Sequence, residues 1–281
     1  MLDDATLIVR GDRIEAIGPR ASTPIPAGAT VLDLTGHTLY PGLVDVHAHV
    51  RYAFGEIAPE TIPSLAANLA FGVTTTHDPS TDTANAFAQR ELIETGRVVG
   101  PRLLSTGSIL YGADHPEKAV IESLDDAREH LRRQATYGAF SVKSYNQPRR
   151  DQRQWVLQAA REQGMLVVPE GGSTLAHNLT MIADGHTGIE HALPVEQLHD
   201  DVLRFWAANP GVHYTPTLLV GYGGVWGEHA FYQRWDVWTD TLLQRWTPPG
   251  TLEARGKRRP LMAPPEDWHH VRLAGTAWRL A

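Results

Sequence analysis

From residue 42 onward the chain keeps one rhythm: a brief apolar run, often β-branched, followed by a segment of helical length. The runs fall at 43–46, 73–76, 102–106, 140–144, 166–169, 188–191 and 212–220, with helical patterns such as 125–137 and 152–163 between them. Strands joined through helices pair in parallel. No Gly-x-Gly-x-x-Gly fingerprint is present, and polar residues sit just where the apolar runs end. Both features favour a barrel over a doubly wound sheet, because barrels carry their chemistry at the carboxyl ends of the strands. The expected fold is α/β, a barrel for which seven candidate strands can be found. Ahead of it, 6–10, 13–17 and 31–34 are short strand-like pieces broken by Gly11-Asp12, by Pro19, Pro24 and Pro26, and by Gly36. Residues 1–41 are therefore expected to form part of a small β-structure, and residues 42–281 the barrel.

The first run ends in His47-Ala48-His49. Alternate residues of a strand share a face, so both imidazoles point the same way and can grip one metal ion. The competing reading is a pair of surface histidines after a turn. An apolar run ending in His-x-His suits a buried parallel strand better than an exposed loop. Lys143 is the second informative position, because it interrupts an otherwise apolar strand where a lysine is costly unless partnered. A lysine snorkelling out of the strand end is the plain alternative. Burial beside cations would instead leave the amine nucleophilic, able to take up carbon dioxide as a carbamate. His77, Glu170 and His191 also stand at strand ends, although His77 can equally cap its own strand.

Composition narrows the classes. The chain has 281 residues, 42% hydrophobic and 20% charged, enough for a full core. A net charge of −7, with basic residues scattered apart from Lys257-Arg258-Arg259, argues against nucleic acid as a partner. No apolar run is long enough to cross a bilayer, and the acidic start Met1-Leu2-Asp3-Asp4 is unlike a secretory signal, so no membrane partner is expected and a cytoplasmic location is. With no cysteine, any metal must be held by His, carboxylate or modified Lys.

These motifs together resemble the amidohydrolase superfamily. The matching residues are Pro41-Gly42-Leu43-Val44-Asp45-Val46-His47-Ala48-His49, Gly72-Val73-Thr74-Thr75-Thr76, Val142-Lys143 and Gly188-Ile189-Glu190-His191. The chain looks most like the imidazolonepropionase-like members and the amidohydrolases found beside tricorn-type propeller repeats. The resemblance implies a TIM-like (β/α)8 barrel, incomplete here because no eighth strand can be found, beside a small β-sandwich to which residues 1–41 contribute a part, with one or two divalent metals, often zinc. It further implies that His47 and His49 bind the more buried ion, that a carboxylated Lys143 bridges, and that His191 binds the second ion. Lys143 and His191 are then the catalytic candidates in a hydrolysis by metal-activated water.

Two departures stand out. Where the resemblance implies a histidine at the end of the fifth strand, this chain has Glu170, an acceptable oxygen donor for a hard ion; His177, seven residues on, is the alternative. The aspartate that the eighth strand would supply as metal ligand and proton acceptor is not found, since Asp236, Asp240 and Asp267 end no β-branched run. The chain is accordingly expected to be a piece of a longer enzyme, poorly stable and weak or inactive alone. Its aromatic window at 221–246 suits either a substrate wall or helix packing. The leading function is metal-dependent hydrolysis of a carbon–nitrogen bond in a small molecule, such as a cyclic amide or dipeptide. A deaminase or isomerase on the same scaffold and a non-catalytic metal-binding remnant are the alternatives. Oligomeric state is not legible.

Overall fold

A computed structural model describes residues 2–50, 52, 61–113, 118–145, 149–172, 174–195, 197–217 and 235–256. Residues divide into two compact units, Met1–Pro41 and Gly42–Ala281. In the first, β1 (Ala5–Arg10) and β2 (Arg13–Pro19) form an antiparallel hairpin with a register shift at Ile8/Val9. The expected third strand at 31–34 is absent. Those residues are exposed and unpaired, with no strand beside them among the described residues, so a strand-like apolar composition alone does not suffice.

In the second unit every strand pair among the described residues is parallel. One sheet runs β3 (Leu43–Asp45), β4 (Val73–Asp78), β5 (Arg102–Ser105). A second has the order β7 (Ala119–Val120), β6 (Leu110–Tyr111), β8 (Ser141–Tyr145), β9 (Leu166–Pro169). A bridge from Glu170 to Glu190 continues from β9 to the pair β10 (Gly188–Glu190) and β11 (His213–Thr215). Helices supply the crossovers: α1 (Pro63–Ala70), α2 (Thr83–Glu94), α3 (Leu124–Thr136), α4 (Arg150–Gln163), α5 (Leu175–Asp184) and α6 (Asp200–Ala207). The fold is therefore α/β with parallel sheets. Among the described residues no strand follows Thr215, and 218–220, 221–234 and Asp267 lie outside them.

Local signals set the helix ends. Asp82 caps α2 by accepting from Asn85 N–H at 2.8 Å, and Ser123 caps α3 by accepting from Asp126 N–H at 3.1 Å. Asp125 and Asp126 then complement the positive end of the α3 dipole. At the other end of α4, Gly164 takes φ 67°, the left-handed turn that lets the chain reverse into β9. Outside the strands, Asp240 accepts from Leu243 N–H at 2.8 Å as the cap of a short helix, Thr241–Trp246. Trp235 and Trp238, from the aromatic window, are exposed.

The main core lies between strands and helices, where Leu103, Leu110, Val142 and Val167 meet Ala127 and Leu131 of α3 and Val156 and Leu157 of α4. A second cluster joins Ile189 of β10 to Met181 and Ile182 of α5 and to Val202 and Trp206 of α6. Because side chains alternate along a strand, Val142 and Ile189 facing helices leaves Lys143 and Glu190 to the opposite face. One expectation fails here: Leu43, Val44 and Val46 are 50–59% exposed, not buried. β3 is an edge strand, paired only with β4 among the described residues, so its apolar run has nothing laid against it.

Leu131 has no exposed surface, so Leu131→Ala should cost about 2–5 kcal/mol of unfolding free energy. Val99, 60% exposed, should tolerate alanine within about 0.5 kcal/mol. Urea titrations of both variants, read by far-ultraviolet circular dichroism, check the contrast.

Candidate active site

The carboxyl ends of β3, β8, β9 and β10 deliver side chains to one place, although His47 and His49 stand in the turn and irregular segment beyond Asp45 and not on the buried strand expected for them, and His49 is exposed. Lys143 is 1% exposed, and its Nζ meets Glu170 Oε2 at 2.6 Å. The other oxygen of Glu170 accepts from His191 Nε2 at 2.7 Å. His191 Nδ1 lies 2.7 Å from Thr217 Oγ1. A carboxylate can only accept, so Nε2 of His191 carries a proton, and in the neutral ring Nδ1 takes the threonine proton. The ring of His191 stands 4.9 Å from that of His47, centroid to centroid.

His47 begins a second chain of contacts. Its Nδ1 donates to the buried carboxylate of Glu190, and its Nε2 lies 3.2 Å from His49 Nε2. Hydrogen bonding at Nδ1 leaves the Nε2 lone pair turned toward His49. The His47 N–H also donates to Asp45 Oδ1 at 3.1 Å, a short turn that carries the chain off β3. Asp78, at the end of β4, is 1% exposed; it accepts from Tyr52 O–H at 2.8 Å and sits 3.8 Å from His49 Nδ1.

Charge in this pocket follows from burial and pairing. Burial first, and then repulsion of any added positive charge by the neighbouring His47 and Lys143, pushes His49 down to about 4, so its imidazole is neutral at pH 7. Burial also pushes the Asp78 carboxyl up to about 6. For Glu170 burial pulls upward, but hydrogen bonds from His191 and Lys143 and the ammonium charge overcome it and hold the group at about 2. Two backbone positions are strained: His191 has φ 71° and Thr217 φ 45°, left-handed values that a β-branched residue seldom adopts.

All five residues singled out from the sequence, His47, His49, Lys143, Glu170 and His191, thus meet in one cluster. His177 does not. It lies on α5, with Nε2 3.5 Å from Arg153 Nη1. His77 donates from Nδ1 to Val46 O at 3.1 Å and accepts at Nε2 from Ser141 O–H at 2.8 Å. Lys143 departs from expectation in one respect, since its near neighbour is a carboxylate and not only cations. Sequence reasoning missed Glu190, Asp78, Tyr52 and Thr217. For Glu190 a signal existed: a glutamate inside an apolar strand, next to a candidate histidine, needs a buried partner.

The donors are turned on one another. Among the described residues no three His, Asp or Glu side chains surround a common point as a ready coordination shell.

Comparison with known proteins agrees with this picture. The model of the amidohydrolase family matches residues 38–223. A dihydroorotase of Leifsonia xyli subsp. xyli (strain CTCB07) is 30% identical over 132 residues, covering 45% of this chain and 29% of that enzyme. An imidazolonepropionase of Deinococcus radiodurans is 45% identical over 53 residues, covering 19% of this chain and 13% of that enzyme. The matched stretches therefore span less than a third of either curated relative. The crystal structure of an amidohydrolase superposes with a TM-score of 0.63 at 17% identity, covering 98% of this chain and 78% of that one, a likeness of fold. The family match takes in well over half of the chain, with all five clustered residues inside it. This protein belongs to the amidohydrolase family.

Proposed function

We propose that this chain is a metal-dependent hydrolase of carbon–nitrogen bonds in small molecules, built on a (β/α)8 barrel from residue 42 onward and acting in the cytoplasm. The observation that carries the reading is the cluster itself: two imidazoles, a lysine, a glutamate and a further imidazole drawn together at the strand ends, with Lys143 buried at its base and His49 open to solvent. The match to the amidohydrolase family supports it.

The donor set fits a divalent ion such as zinc. Two nitrogens bound at ~2.05 Å to a tetrahedral ion stand about 3.3 Å apart, and Nε2 of His47 and of His49 are separated by 3.2 Å. His49 is neutral at pH 7, as a ligand must be. His47, His49, Glu170 and His191 would hold the ion, and Lys143 as a carbamate would add an anionic bridge between two. A divalent cation there supplies Lewis acidity toward the scissile carbonyl and lowers the pKa of water.

The protein's own groups do the rest. Glu190 fixes the tautomer and orientation of His47 through Nδ1, so that the free lone pair faces the pocket. Thr217 holds the opposite edge of His191 in the same way. The proton on His191 Nε2 must leave before that nitrogen can act as a ligand. Glu170 stays ionised throughout the working pH range and balances the Lys143 ammonium when no other cation is present.

Purified protein should carry at least one equivalent of zinc or a similar metal by plasma emission spectrometry, and His47→Ala should carry less than a tenth of that. Equal metal content in the two proteins would contradict the assignment, and less than one equivalent in the parent would favour a non-catalytic remnant. Release of amine from a panel of amides, lost with chelator and restored by zinc, tests hydrolysis directly. Ammonia release or unchanged substrate mass would select the deaminase or isomerase instead. Glu190→Gln keeps the shape but removes the anion, so metal affinity should fall about 10–100-fold in a competition titration with a chromogenic chelator. An unaltered affinity would remove Glu190 from the site.

A further inference from the structure

Beside the polar cluster lies a cation whose chemistry the hydrolase reading leaves unused. Lys118 Nζ stands 4.4 Å from the ring centroid of Tyr111 and 4.4 Å from that of Tyr145. The two rings are neighbours on adjacent strands: Tyr111 pairs with Tyr145 in the β6–β8 register, and their centroids are 5.5 Å apart at 55°. Lys118 is half-buried, and among the described residues no carboxylate pairs with it. Aromatic faces attract an ammonium but give it no hydrogen-bond acceptor oxygen, and among the described residues no acceptor takes up its N–H groups away from the rings.

The position of this cradle relates it to the cluster. Tyr145 is two residues beyond Lys143 on β8 and so belongs to the same strand face. The backbone N–H of Glu170 donates to Ser144 O at 3.1 Å, which ties the end of β9 to the same stretch. Glu170 is close enough that its charge, after burial, helps hold the Tyr145 hydroxyl above its usual range.

We propose that Lys118, seated on Tyr111 and Tyr145, is a specificity subsite for an anionic group of the substrate, a carboxylate borne on one side of the scissile bond. The substrate class is then amides with a free acid, such as N-acyl amino acids, and not amides that are neutral at both ends. The tyrosine faces hold the ammonium in place while its outward N–H groups donate to the acid. The inference rests on the hydrolase reading for the word substrate, but the subsite itself is a matter of binding.

The test is calorimetric titration of the full chain, at fixed ionic strength, with N-acetyl-leucine and with N-acetyl-leucinamide. These probes differ only in the charge at one end. Unmodified protein should bind the acid at least about tenfold more tightly than the amide, as expected for one charge-assisted hydrogen bond. Lys118→Met should abolish most of that preference, and Lys118→Arg should retain it. Equal or weaker binding of the acid, absence of saturable binding of the acid, or an unchanged preference in Lys118→Met overturns the proposal. Hydrolysis is scored separately by amine release. A chain that prefers the acid without cleaving any amide would retract the hydrolase reading and leave the subsite standing; cleavage without the preference would do the reverse.

Discussion

An ammonium group inside a parallel sheet is tolerable only if an anion comes with it, and in this protein Lys143 and Glu170 meet that condition across β8 and β9. The pairing has consequences in both directions. It fixes the end of β9 beside β8, and it aims the second oxygen of Glu170 at His191, which brings β10 into the same arrangement. A second buried carboxylate, Glu190, does the same for His47 and so reaches the end of β3. Without these two acids, three imidazoles and a buried amine would crowd one another with no anion among them. With them, each polar group has a partner and remains available for exchange with a cation.

The placement follows from strand alternation. Val142 and Ile189 are committed to the helices by their burial in the two apolar clusters, and this commitment turns Lys143 and Glu190 to the opposite face. A register slip of one residue would bury neither valine nor isoleucine and would send the site residues into the helical layer. Stability and function are thus coupled through the pleat. The left-handed backbone at His191 and Thr217 is the local cost, sustained because the two side chains hydrogen-bond each other at 2.7 Å.

Much of this was legible before any coordinates. The alternation of apolar runs with helix-length segments marks the parallel strands, residue type and position mark the strand-end residues 47, 49, 77, 143, 170 and 191, and the family resemblance singles out all of these but His77 as candidate ligands. The reason is that a charged or metal-ligating residue in an apolar strand needs special circumstances, so it marks itself. The failures have physical causes too. Residues 31–34 have strand-like composition, but strand formation depends on a partner to pair with, which composition does not encode. Leu43, Val44 and Val46 read as buried because they are apolar, yet burial is a property of what packs against them. Glu190, Asp78 and Thr217 were overlooked because each acts on another side chain distant in sequence, His47 across 143 positions in the first case. Such long-range pairs leave no periodic trace.

The central claim is that His47 and His49 share one divalent ion with the residues gathered around Glu170. Crystals of the full chain grown with zinc, with diffraction collected on both sides of the zinc absorption edge, test it most directly. The account predicts an anomalous peak within bonding distance of His47 Nε2 and His49 Nε2, with Glu170 or His191 completing the shell. A fully zinc-loaded crystal whose only anomalous peaks lie away from these residues would contradict it.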